Sequence, residues 1–433
     1  MRYADMTLGE LRAELAKLRA EYADFAAHGY KLNMARGVLS REQLELTQDM
    51  LTALVTPEQC CTESGTDCRN YGLLDGIPEA KRLMADLLGT KPHKVIVGGN
   101  SSLNLMYDAV ARNMLFGTED VKIPWSKQGK IKFLCPVPGY DRHFAICEAL
   151  GIEMINVDLL DDGPDMDEVE RLVAEDAQIK GIWCVPKYSN PSGVVYSDEV
   201  IRRFANLKPA AKDFRIFWDN AYIVHSLYGE PVEQLDIIHE AKKAGNPNIV
   251  YEFASTSKIS FPGSGVAVMA SSPENIDEIK HRMGVQTIGH DKLNQMRHVV
   301  YFKNMDGIRE HMKKHAEIIA PKFKLVDEIF TRELDGLDIA KWTKPEGGYF
   351  VSLDVYIGSA SRVYLLMEEL GVTLTPAGAT FPYHLDPNDR NLRIAPTFPP
   401  IEELEIACNA LCVCVKIAAL ERLRHHKKEE SAE

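Results

Sequence analysis

Apolar residues recur along this chain in two rhythms. After Thr7-Leu8-Gly9-Glu10, which has capping-box form, Leu8, Leu11, Leu15, Leu18, Tyr22 and Phe25 follow at alternating spacings of three and four. That period places them on one face and predicts an amphipathic helix. Its stripe has to be covered, by its own subunit or as an arm on a partner, and periodicity leaves both open. The next stretch, Leu32-Asn33-Met34-Ala35-Arg36-Gly37-Val38-Leu39-Ser40, is too rich in turn and polar residues to continue the helix. It reads as a loop or a short extended piece.

From about residue 78 to 272 the rhythm changes to short, bulky apolar runs alternating with helical segments. The runs are 94–99, 131–138, 153–159, 181–186, 214–219, 248–255 and 265–270, with helices such as 165–176 and 197–206 between them. Runs of this kind are buried on both faces of a parallel sheet. The expectation is an α/β fold with a seven-stranded, mostly parallel sheet in its large domain. Beyond about residue 300 come a long helix through 311–330, strand-like GGYFVSLDV and LRIAP, and a terminal helix from 401 to about 423. These predict a smaller α+β domain, followed by a solvated charged tail, RHHKKEESAE. The domain reading is 1–58 joining the small domain, 59–300 as the large domain, and 301–433 as the rest of the small one.

Composition narrows the function classes. The 433 residues are 45% hydrophobic and 26% charged, which is ordinary for a folded globular protein. The formal charge of -13 repels phosphate backbones and anionic lipid, so no nucleic-acid partner is expected. The amino terminus has no apolar run fit for a signal peptide, and no stretch of about 20 residues is free of charge, so no membrane contact and a cytoplasmic location are expected. Nine cysteines, an odd number mostly among apolar neighbours, read as reduced core thiols. Cys60, Cys61 and Cys68 lack paired C-x2-C spacing and a nearby histidine, so no metal is expected.

Ligands of a wound α/β sheet sit at the carboxyl ends of its strands, which draws attention to the polar residues closing the runs. Gly98-Gly99-Asn100-Ser101-Ser102 ends the first run and opens a helix, aiming backbone N–H groups and hydroxyls at an anion. Ordinary helix capping calls for the same residues. Asp219 follows one buried run and Lys258 another, and either alone reads as a cap or a surface charge. In this order, however, the three supply what a pyridoxal phosphate enzyme requires: an anion site, a carboxylate for the ring nitrogen and an amine for the aldehyde.

On the motifs NYGLLDGIPEAKRL at 70–83, GGNSSLNLMYD at 98–108, PGYDRH at 138–143, SNPSG at 189–193, DNAY at 219–222, STSK at 255–258, PEGGYF at 345–350 and NLRIAP at 391–396, the chain resembles the fold-type I aminotransferases. Within them it is most similar to the aspartate aminotransferases of the type Ic subgroup. The resemblance implies pyridoxal 5′-phosphate as cofactor. It implies that Lys258 joins the cofactor's aldehyde carbon and later carries the substrate proton, that Asp219 pairs with the ring nitrogen, and that His143 supports Asp219. Asn190 and Tyr222 resemble the pair on the cofactor's 3-oxygen, and Tyr140 the aromatic residue stacked on its ring. Asn100, Ser101, Ser102, Ser255 and Ser257 resemble phosphate ligands, joined by Tyr71 from a second subunit, which implies a homodimer with shared active sites. Arg393, with Asn190, resembles the grip on the substrate α-carboxylate.

One departure stands out. Relatives carry an arginine seven or eight residues after the lysine, whereas Ile259-Ser260-Phe261-Pro262-Gly263-Ser264-Gly265-Val266 has no cation, which leaves Lys292 or Arg297 to supply it. The expected activity is transfer of an amino group from L-aspartate to 2-oxoglutarate. An aminotransferase for aromatic or 2-aminoadipate-type substrates is the alternative within the fold, and a ligand-sensing regulatory protein the alternative outside enzymes. Arg36, with Gly37 allowing close backbone approach, is the candidate for the distal carboxylate, against the plain alternative of a surface arginine. Lys292 and Arg297 compete for that role.

Overall fold

The computed structural model describes residues 2–430. In chain order the strands of its large sheet are β1 (Val95–Val97), β2 (Lys132–Val137), β3 (Glu153–Leu160), β4 (Gly163–Pro164), β5 (Ile179–Cys184), β6 (Arg215–Asp219), β7 (Val250–Ser255) and β8 (Ala267–Ala270). All seven apolar runs are strands. The addition is β4, two residues turned back on β3 by Gly163 at φ 140°. Two residues carry no periodicity, so the sequence pattern could not announce it. The order is β1-β8-β7-β6-β5-β2-β3-β4. The central pairs β7–β6, β6–β5, β5–β2 and β2–β3 are parallel, and the outer pairs are antiparallel.

Successive side chains of the central strands enter opposite apolar layers, as the two-residue period requires. Leu134, Ile182, Ile216 and Trp218 pack on one face, and Phe133, Cys135, Trp183 and Phe217 on the other. Helices follow their caps: Asp165 accepts from the N–H groups of Asp167 and Glu168 at the start of Met166–Glu175, and Ser197 caps Asp198–Ala205. No helix among the described residues is long and apolar enough to cross a membrane, and all nine cysteines are free thiols.

A second core lies beside the sheet. It gathers a three-stranded antiparallel sheet (Ala340–Trp342, Val351–Val355, Asn391–Ile394), the long helix Met305–Leu334 and the last helix, Ile401–Glu430. The amino-terminal helix, Leu8–Ala27, carries its capping box, with Thr7 and Glu10 bonded reciprocally. Its stripe is covered by its own subunit: Leu11, Leu15 and Leu18 are buried in this core, Arg19 pairs with Glu421 at 3.1 Å, and the Tyr22 hydroxyl donates to Glu369 at 2.9 Å.

The charged tail departs from expectation. It continues the last helix to Glu430, and Lys427 Nζ donates to the Met6 carbonyl at 2.6 Å. The segment contains no glycine or proline to stop a helix, and its lysines suit a helix C-terminus. Residues 431–433 of that tail lie outside the described residues.

After the first helix, Leu32–Asn33 pairs in parallel with Val372–Thr373, and the Ala395 N–H donates to the Met34 carbonyl at 3.0 Å. The expected short extended piece is therefore real. It carries residues 35–38 onto the strand that holds Arg393.

Candidate active site

Five chain segments leave the same edge of the large sheet and enclose a cavity of about 230 Å³. Ser101 and Ser102 follow β1, Tyr140 follows β2, Asn190 follows β5, Asp219 and Tyr222 close β6, and Ser255, Ser257 and Lys258 end β7. This is the switch-point edge where open α/β sheets bind ligands.

One end of the cavity is built for an anion. Ser101 caps the helix Ser102–Phe116, its hydroxyl accepting from the Leu103 N–H at 3.2 Å. Ser257 donates to the Asn100 carbonyl at 3.1 Å, and Ser255 donates to Ser257 at 3.0 Å. The lysine turn and the helix N-terminus are thereby held together, with hydroxyls and the positive end of the helix converging. A Cβ on Gly265 would sit 2.9 Å from the Asn100 carbonyl, so this approach needs glycine. Asn100 contributes through that carbonyl; its side chain is exposed and does not line the cavity.

The other end is built for a cation. Asp219 is 3% exposed, and its Oδ2 lies 3.0 Å from His143 Nε2. His143 is fixed in turn by stacking on Trp183, with ring centroids 4.5 Å apart and planes 10° from parallel. The second oxygen, Oδ1, is buried with no hydrogen-bond partner among the described residues. A buried carboxylate oxygen without a donor costs about 1–3 kcal/mol or more, so a donor belongs there. Between the two ends, Lys258 Nζ lies 4.9 Å from the Tyr222 ring centroid and 5.8 Å from that of Tyr349. Burial holds its ammonium below the usual lysine range and the Arg393 charge adds to this, while Asp219 pulls the other way. An aromatic aldehyde with a phosphate at one end and a protonated ring nitrogen at the other fits this set of groups.

Arg393 sits beside that cavity, 8% exposed. Its Nη1 donates to Asp141 Oδ1 at 2.7 Å and lies 3.4 Å from Asn190 Oδ1, and its Nε donates to Thr375 Oγ1 at 3.3 Å. The guanidinium lies 4.9 Å from the centroid of the Phe350 ring. Thr375 also donates to the Ala35 carbonyl at 2.8 Å, and a Cβ on Gly37 would overlap the Phe350 ring. The segment bearing Arg36 is therefore fastened to the same two residues that orient Arg393, and the Arg36 side chain is exposed there. Sequence reasoning missed Asp141, Phe350 and Thr375 as contacts of Arg393. Asp141 and Phe350 stand inside the PGYDRH and PEGGYF motifs, whereas Thr375 carried no signal.

Two expected groupings do not form within one subunit. Tyr71 is 80% exposed and lines a separate cleft with His290 and Lys292, not the Lys258 cavity. Lys292 is buried and lines that cleft, and Arg297 lines neither site. Val266, at the place of the missing arginine, is core.

Beneath Lys258 lies a buried cluster that carries no sequence motif. His225 Nε2 is 3.3 Å from the Lys258 carbonyl, and His311 Nε2 is 2.8 Å from the Ile259 carbonyl. His315 Nε2 lies 3.0 Å from His311 Nε2, and Gln43 joins His315 to the Tyr349 hydroxyl at 3.0 and 2.9 Å. Burial pushes the imidazoles of both His225 and His315 from 6.5 down to about 3. Below about pH 6.5 the unfolded chain therefore binds protons that the folded chain refuses, so stability falls with pH until about pH 3. We expect His315→Gln to make the decline of unfolding free energy between pH 6 and 4 shallower by about 1.4 kcal/mol per pH unit, read from urea midpoints at each pH. An unchanged slope would mean that His315 is charged in the folded protein.

The family model described as aspartate amino-transferase matches residues 6–427. A Mycolicibacterium smegmatis relative, whose name places it among aminotransferases without stating a substrate, is 47% identical over 98% of this chain and 99% of its own length. An aspartate aminotransferase of Corynebacterium glutamicum is 45% identical over 93% of each chain. The crystal structure of an aspartate transaminase from Corynebacterium glutamicum superposes with a TM-score of 0.95 at 43% identity, covering 98% of this chain and 99% of that one.

Proposed function

The chain belongs to the aspartate amino-transferase family and is an aminotransferase, and on that premise we propose that it transfers the amino group of L-aspartate to 2-oxoglutarate with pyridoxal 5′-phosphate as cofactor. The products are oxaloacetate and L-glutamate. The observation that carries this reading is the unpartnered, buried Oδ1 of Asp219, which belongs to the same cavity as the amine of Lys258. A cytoplasmic location, where free thiols persist, accompanies it.

When bound, pyridoxal phosphate supplies an aldehyde to take up the amino group and a cationic ring to accept the electron pair left at the substrate Cα. The chain's own residues do the rest. Ser101, Ser102, Ser255 and Ser257 hold the phosphate with the helix N-terminus. Asp219, oriented by His143, keeps the proton on the ring nitrogen through a charge-assisted hydrogen bond in a water-poor site. Tyr140, Asn190 and Tyr222 line the same cavity; Tyr140 would pack against the ring face, and Asn190 and Tyr222 would donate toward its 3-oxygen. Lys258, whose ammonium form burial disfavours, would take the proton from Cα and return it to the cofactor's carbonyl-derived carbon, on the other side of the shared nitrogen. Arg393 and Asn190 bind the α-carboxylate. Donor and acceptor use the site in turn, so both must present that group.

Aspartate and 2-oxoglutarate each carry a second carboxylate, and Arg36 is the candidate to meet it; the support is that its segment is hydrogen-bonded through Thr375 to Arg393. We expect Lys258→Ala to abolish transamination while the protein stays folded by circular dichroism; an unchanged turnover rate would remove Lys258 from the chemistry. Arg36→Ala is expected to lower kcat/KM for aspartate by about 2–4 kcal/mol in activation free energy and to spare alanine. Equal losses for the two donors would make Arg36 a surface arginine.

A homodimer completes the reading. The exposed Tyr71 shares its cleft with Ile288, 62% exposed, and Val285, three residues earlier in the chain, is 89% exposed; association would cover such apolar side chains. Tyr71 then reaches the partner's phosphate site. Mixing Lys258→Ala with Tyr71→Ala, under conditions that exchange subunits, should restore activity that neither variant has alone, because one site per hybrid is intact. Mixtures that stay inactive although hybrids form would place Tyr71 outside the shared site.

A further inference from the structure

We propose that Asp141 is a built-in carboxylate that occupies Arg393 until the α-carboxylate of a substrate displaces it, which makes Asp141 a specificity-determining residue. The inference rests on the reading of Arg393 as the α-carboxylate grip. An arginine only 8% exposed is costly to leave without a counter-charge, and Asp141 supplies one at 2.7 Å. Asp141 is not required to aim the arginine. Thr375 already fixes Nε, and Phe350 lies under the guanidinium plane. Its bond falls on Nη1, the same nitrogen that faces Asn190, where an incoming carboxylate has to dock.

Asp141 can also leave. Its side chain is 28% exposed, while that of Arg393 is 9% exposed. It opens the helix Asp141–Ala149, so its carboxylate remains favoured at that N-terminus after the exchange. Substrate binding then swaps one carboxylate for another, and Arg393 is never left unpaired. A primary amine without a carboxylate has nothing to swap and is refused.

The test uses the cofactor-loaded enzyme and succinate, a dicarboxylate with no amino or oxo group, titrated by calorimetry. Asp141→Asn and Asp141→Ser remove the competing charge with and without conserving shape, so one variant remains if the other folds poorly. Each is expected to bind succinate about threefold to tenfold more tightly than the parent. Each should also show a lower Tm without ligand and a larger rise in Tm on adding succinate. Unchanged or weaker binding in the folded variants would overturn the exchange and make Asp141 a residue that positions Arg393. Arg393→Ala separates the two levels of the argument. If it binds succinate as well as the parent does, the reading of Arg393 itself has failed and the exchange falls with it.

Discussion

One buried carboxylate organises this molecule. Asp219 is 3% exposed at the end of a central parallel strand, with one oxygen tied to His143 and the other left for a group the chain does not contain. Nearly every neighbouring choice follows from keeping that charge dry and directed. His143 stacks on Trp183, and Trp183 packs against Phe217 and Phe133 in the layer below the strands. A low-dielectric setting penalises an unpaired acid and would equally strengthen its bond to a cationic ring, so a cofactor of the proposed kind would satisfy the oxygen that the chain leaves open.

The lysine opposite is held by its backbone more than by its side chain. Its carbonyl faces His225 and Tyr349, and the next carbonyl faces His311, so residues from the loop after β6, the long helix and the 40–47 segment meet under one turn. Uncharged imidazoles suit that place, since an imidazolium buried beneath Lys258 would lose its hydration and repel the lysine ammonium, at the expense of stability. The anion end is made differently, from hydroxyls and a helix N-terminus with no arginine. Neutral donors there leave Lys258 as the one basic side chain lining the cavity among the described residues.

Substrate recognition is assembled from distant parts of the chain. Gly37, Phe350 and Arg393 form a stack in which the glycine has no room for a Cβ, the ring faces the guanidinium, and Thr375 links Arg393 to the Ala35 carbonyl. The amino-terminal segment is thus joined to Arg393 through contacts that any shift of the arginine would disturb.

The sequence by itself determined the strands, the caps and the chemistry of the cavity. Period-two burial and strand-end polar residues are local signals, and Ser101, Asp219 and Lys258 each follow an apolar run, so the sheet carries them to one edge whatever the loops do. The family resemblance then pointed to Asn190, Tyr222 and Tyr140, which line the same cavity. Tertiary structure alone decided what those groups touch. Nothing in the order of residues says that Asp141 pairs with Arg393 across 252 positions, that the amino-terminal stripe is covered by its own subunit, or that three histidines and Gln43 meet under Lys258. Those contacts depend on how separate elements pack, and packing is set by the shape of whole surfaces, which no short window of residues encodes.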